Sequence, residues 1–195
     1  MDKFQNKYRI ASNRWQYWDY SLPGSYYITI CIAGKEELLG HIENGKMILS
    51  EYGEIVKSEF LRLPDYHQRV SLEEWVIMPN HVHCIIWLDD YCDGENEGEV
   101  VVEIIHELSL RAEDEIKQYR KHRRKMLIPK ILGKFQMQTS KRMNILGNTP
   151  GKTNWQPNYY DHVIRGDDDY ARIREYIIDN PSNWKDDKFN NFKDQ

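Results

Sequence analysis

The sequence predicts an α+β fold: an antiparallel sheet with helices packed on one side of it, plus a helical insertion. Two observations carry this expectation. Apolar, β-branched runs at 25–33, 70–78 and 81–88 read as strands, while amphipathic patterns at 131–145 and 167–180 read as helices. The first half also follows the order strand, hairpin, helix, strand, strand, which suits a sheet with short antiparallel connections.

Taken in order, residues 1–24 form an arm that interleaves Tyr8, Arg9, Arg14, Trp15, Tyr17 and Trp18 and closes on Pro23-Gly24, a turn pair. Ser25 to Ala33 alternates and is rich in β-formers. Leu38–His41 and Lys46–Leu49 read as a hairpin, because Asn44-Gly45 accepts the positive φ of a tight turn. Ser50 is an N-cap with Glu51 and Glu54 in the first turn of a helix that ends near Pro64. Val70–Met78 and His81–Leu88 are strands joined by Pro79-Asn80. A polar loop, 89–100, precedes a helical stretch over 101–127 that Pro129 is expected to break, and Ile131–Ile145 is a second helix. Residues 147–154 form a connector. Their Gly-Lys-Thr does not make a phosphate loop, since the first glycine is one residue too close and no strand precedes it. Asp167–Asp169 open a last helix that Pro181 stops.

The 195 residues suit one domain, 1–195, with 89–130 as an insertion. The apolar content of 40% and aromatic content of 12% fit a folded chain rather than a disordered one. No apolar run approaches the roughly 18–20 residues of a membrane span, and the charged start does not read as a signal peptide. Cys31, Cys84 and Cys92 form no Cys-x-x-Cys pair, so the expectation is buried, reduced thiols in a cytoplasmic protein.

Charge is segregated more than its net of −4 implies. Residues 89–115 carry 11 acidic side chains against Arg111, and 116–160 carry 11 Lys or Arg with no acid. Such a block is either a solvated helix face or a surface for a polyphosphate partner. Arg120, Arg123, Arg124, Lys125, Lys130, Lys134, Lys141 and Arg142 are the candidate phosphate contacts. Arg14 and its aromatic neighbours are candidates to clamp single-stranded bases.

His81-Val82-His83 is the pattern with the most specific chemistry. On a strand the two histidines point to one face, their Cα atoms roughly 6.5–7 Å apart, so both imidazoles can reach one divalent ion. On the last helix Tyr176 and Asn180 are four apart and share a face.

Met-Pro-Asn-His-Val-His at 78–83, Trp-Gln-Pro-Asn-Tyr-Tyr-Asp-His-Val-Ile-Arg at 155–165 and Tyr-Ile-Ile-Asp-Asn-Pro at 176–181 resemble the REP-associated tyrosine transposases. These are relatives of the single-tyrosine HUH transposases of the IS200-like superfamily. The likeness extends to Asp19-Tyr20-Ser21-Leu22-Pro23-Gly24 and Glu51-Tyr52-Gly53, and 89–130 is its least typical part. The resemblance implies a ferredoxin-like or RRM-like sheet. It further implies a Mg²⁺ or Mn²⁺ ion on His81 and His83 with Asn180 as oxygen ligand, and Tyr176 as nucleophile. The expected partner is single-stranded or hairpin DNA, with no membrane, and the assembly is a monomer or a homodimer.

Overall fold

The computed structural model describes residues 18–90, 122 and 124–190, together with a two-residue strand pair at 3–4 and 7–8. Four strands form the central sheet: β1 (Gly24–Cys31), β4 (Val70–Met78), β5 (His81–Leu88) and β6 (Tyr160–Val163). Their order is β4-β5-β1-β6 and every pairing is antiparallel. β2 (Gly40–Glu43) and β3 (Lys46–Leu49) make a separate hairpin. Its turn residues Asn44 and Gly45 have φ of 51° and 73°, the left-handed region that this dipeptide tolerates. Among the described residues three longer helices complete the fold: α1 (Glu51–Phe60), α2 (Leu127–Leu146) and α3 (Asp167–Asp179). None of the described helices is long and apolar enough to cross a membrane.

Period-two alternation divides the sheet into two faces. Tyr26, Ile28 and Ile30 on β1, with Val82, Cys84 and Ile86 on β5, join the main core under α1 and α2, where Phe60, Ile128, Leu132 and Phe135 meet them. The opposite face of the same strands carries Tyr27, Thr29, His81, His83 and Ile85, and Ile173 and Ile177 of α3 pack on it. The expectation of helices on one side is therefore corrected. The charged α3 has a narrow apolar stripe, too small to share the main core but sufficient to cover part of the second face.

A second correction concerns Pro129. It lies inside the first turn of α2, which begins at Leu127, four residues before the expected start. A proline there removes an N–H that has no intrahelical acceptor anyway, so it starts a helix rather than breaking one. The expected helix over 101–127, but for 122 and 124–127, and the acidic run, but for Asp89 and Asp90, lie outside the described residues; Cys92 does too. Cys31 and Cys84 are buried free thiols, as read.

Local details fit the sequence. The Ser50 hydroxyl caps α1 by accepting from the Gly53 amide at 3.1 Å. A Cβ at position 53 would fall on the Leu39 carbonyl oxygen, which gives a physical reason for glycine in Glu51-Tyr52-Gly53. Gly53→Ala is expected to cost about 1–3 kcal/mol by forcing helix and loop apart, measured by urea denaturation.

Between the helices, the buried Glu59 carboxylate accepts from Arg142 at 2.7 Å and from Tyr66 at 3.1 Å. Burial alone would raise its pKa; the hydrogen bonds from Arg142 and Tyr66 outweigh it and hold the carboxyl below its usual range. Arg142→Ala is expected to cost roughly 1–3 kcal/mol at neutral pH by leaving that carboxylate under-satisfied. Because the folded pKa is depressed, this stabilisation is present above the unfolded value near 4.3 and lost as pH falls through the folded one. Wild type and variant should therefore converge in stability at low pH, which denaturation at stepped pH values reads directly.

Candidate metal centre and tyrosine site

The site is built on the β4–β5 hairpin. Pro79 and Asn80 close it in two residues, since Met78 pairs with His81. The turn is pinned from outside, because Leu39 N donates to Pro79 O and Ile32 N to Asn80 O, at 2.9 and 2.8 Å. His81 and His83 follow on the face away from the main core, both fully buried. Their Nε2 atoms face each other at 2.9 Å. Burial pushes both imidazoles far below their usual pKa, partly opposed at His81 by the Asp187 carboxylate. Burial thus favours the neutral form of both rings, the form that offers a lone pair to a metal ion.

Asp187 completes a cluster. It is buried, and one ligand atom from each of His81, His83 and Asp187 lies within 4.8 Å of the others. Two neutral imidazoles and a carboxylate are a donor set that suits a divalent transition ion and tolerates Mg²⁺ less well. A further observation agrees. Asn180 Oδ1 is buried with no hydrogen-bond partner among the described residues, while its Nδ2 donates to Asp187 at 3.3 Å. A buried amide oxygen of that kind is costly unless something binds it. His81, His83 and Asp187 could thus hold a metal ion, and Asn180 stands beside them.

Tyr176 projects from α3 toward the same point. Its hydroxyl is 3.5 Å from His83 Nε2 and donates to Asp187 Oδ2 at 3.3 Å. The residue is 38% exposed, so the phenol borders both the buried cluster and solvent. Burial, then the Asp187 charge, pushes its pKa up to about 12. The structure thus brings together four of the residues singled out from sequence: His81, His83, Tyr176 and Asn180.

Asp187 was not among them. It follows Asp186 in a short acidic run, and nothing in the sequence separates it from that neighbour. Only the turn after Pro181, which carries Trp184 and Phe189 back over the histidines, reveals it; their rings lie 6.0 and 4.5 Å from that of His81. Lys35 and Lys188 flank Phe189, with their ammonium groups 5.7 and 5.0 Å from its ring, and were also missed.

Those of the basic residues read as phosphate contacts that are described do not converge on this point. Lys134, Lys141 and Arg142 lie on α2, across the sheet from the histidines. The Lys134 ammonium sits 3.9 Å over the Tyr66 ring, and Arg142 is engaged with Glu59. Arg124 is exposed just before α2, and Arg14, Arg120 and Arg123 lie outside the described residues.

No family model matches the chain. A Haemophilus influenzae protein described as uncharacterized is 32% identical over 177 residues, covering 91% of each chain. Two solved structures are similar at low identity. A REP-associated tyrosine transposase bound to a REP hairpin has a TM-score of 0.49 at 17% identity, over 90% of this chain and 74% of that one. A Deinococcus radiodurans R1 structure, named provisionally as a transposase, has a TM-score of 0.45 at 13% identity, over 80% and 90% respectively.

Proposed function

We propose, from the premise that this chain belongs to one family with the Haemophilus influenzae protein, that it cleaves and rejoins single-stranded DNA through Tyr176. The carrying observation is the phenol oxygen of Tyr176 at 3.5 Å from His83 Nε2, at the solvent edge of a His-His-Asp cluster. The three-motif resemblance to the REP-associated tyrosine transposases supports the same reading.

In this reading Tyr176 attacks the phosphorus of a DNA phosphodiester. A P–O bond to tyrosine forms, the bond to the 3′-oxygen breaks, and a 5′-phosphotyrosine and a free 3′-hydroxyl result. The Asp187 carboxylate orients the phenol by accepting its hydrogen bond. His81, His83 and Asp187 would hold Mn²⁺ or Mg²⁺, with Asn180 adjacent. When bound, the ion supplies charge stabilisation for the phosphate in the transition state, a contribution of several kcal/mol. Lys35 and Lys188 set positive charge around the cluster, where a phosphate would approach. The phosphotyrosine link retains bond energy for rejoining, which separates strand transfer from hydrolysis.

Hairpin DNA, the partner the resemblance implies, is the substrate to test. The protein is incubated with end-labelled single-stranded hairpin DNA and Mn²⁺ and resolved on a denaturing gel. A covalent protein–DNA band that requires Mn²⁺ supports the proposal. Cleaved DNA without such a band identifies a hydrolytic nuclease instead.

A further inference from the structure

Tyr160 is an aromatic side chain that the proposed chemistry leaves unused, and its place in the sheet is specific. It opens β6, the strand at one end of the sheet among the described residues. Tyr160 pairs with Thr29, and Thr29 pairs with His83, so the three stand in one row across β6, β1 and β5. Residues directly opposite on an antiparallel ladder share a face, so Tyr160 lies on the face of the histidines. Two strand spacings of about 4.8 Å put it roughly 10 Å from His83, a span that one nucleotide covers from phosphate to base.

Tyr27 stands between the two tyrosines. Its ring meets Tyr160 edge-on at 5.9 Å and Tyr176 edge-on at 6.4 Å between centroids. Tyr27 is buried, whereas Tyr160 and Tyr176 are both exposed, so the buried ring is the floor between two phenols that reach solvent. Toward β4, α3 is tied down: Arg174 pairs with Glu74 at 3.1 Å, and Tyr170 hydrogen-bonds to Glu73. Toward β6 only the start of the helix is tied, where His162 Nε2 donates to Asp169 Oδ2 at 2.7 Å. Asp167, Asp168 and Asp169 at that end repel phosphates. On the β6 side, then, the approach to the Tyr176 hydroxyl runs past Tyr160, with room for one nucleotide before the acidic turn.

We infer that Tyr160 is a stacking platform for one base next to the phosphate that Tyr176 attacks. Every base has a π face, so an exposed ring beside the reacting phosphate holds a nucleotide without reading its identity. Holding that base fixes the angle at which the phosphate meets the Tyr176 hydroxyl. This inference deepens the proposed cleavage by Tyr176 and rests on it.

The test uses Tyr176→Phe protein with Mn²⁺, so that a strand is held without being joined, and a short oligo(dT) carrying 5-iododeoxyuridine. Ultraviolet cross-linking followed by peptide mapping should find the base attached to Tyr160. In the same background Tyr160→Ala should bind the oligonucleotide about 5–150-fold more weakly by fluorescence anisotropy, the range for one stacked base. Tyr160→Leu keeps apolar bulk against Tyr27 but has no ring face, and should bind as weakly as the alanine variant. Tyr160→Phe should restore binding. Leucine binding as well as tyrosine would assign the side chain to packing against Tyr27 and overturn the inference. Cross-links that map only elsewhere, or an affinity that none of the three substitutions changes, would overturn it too. Those results leave strand cleavage by Tyr176 standing, because the covalent adduct is read separately. An oligonucleotide that binds none of the proteins, with Tyr176 present or replaced, removes both.

Discussion

Tyr176→Phe is expected to reduce the covalent DNA adduct to background while leaving hairpin affinity within about twofold. The substitution deletes one oxygen and keeps the ring, whose edge-on contacts with His83 and Tyr27, at 5.3 and 6.4 Å between centroids, do not involve the hydroxyl. The lost hydrogen bond to Asp187 is long, 3.3 Å, and half-exposed, so stability should change by less than about 1 kcal/mol. Adduct yield on a denaturing gel and affinity by fluorescence anisotropy are the two measurements. An adduct that persists in Tyr176→Phe would transfer the nucleophile's role to another side chain. Tyr160, 44% exposed on the same sheet face, would be examined first, since it pairs in register with Thr29.

The second large effect separates Asp187 from Asn180. Asp187→Ala should weaken Mn²⁺ binding by at least about 100-fold, the upper end of the range for partners outside the ligand shell. It removes the only carboxylate of the cluster and leaves two neutral imidazoles. Asn180→Ala should weaken it by about tenfold or less, because its amide also acts by donating to Asp187 Oδ2. Isothermal titration of Mn²⁺ into each variant gives both numbers. If the two losses are equal, Asn180 ligates directly, as the family resemblance implies, and Asp187 orients it.

The strands were legible because their constraint is local: a period-two apolar pattern in Tyr26–Ile30 and Val82–Leu88 specifies both the strand and its core face. That pattern also put His81 and His83 together, two residues apart on one strand. Tyr176 and Asn180 were legible as a pair by helical spacing, but their approach to the histidines required the motif resemblance. Asp187 and the row of Tyr160, Thr29 and His83 depend on pairing between distant segments. The sequence order of β1 and β5 does not reveal that Thr29 stands opposite His83. The basic block could not be placed from the sequence for a different reason. Charge segregation identifies a surface but not its side of the sheet, and α2 spends one cation, Arg142, on a buried carboxylate.

Of the three helices described, α3 buries the least apolar surface in the main core. α1 and α2 share the main core, whereas α3 leans on a patch formed by Tyr27, Ile85, Ile173 and Ile177. Local opening follows how much apolar surface each segment hides. Backbone amides of α3 should then trade hydrogen for deuterium well ahead of those in β1 and β5. On that expectation the tyrosine sits on the more readily opened helix and the imidazoles on the central strands, so under the proposed function the phenol would shift toward a DNA strand while the two histidines keep their places.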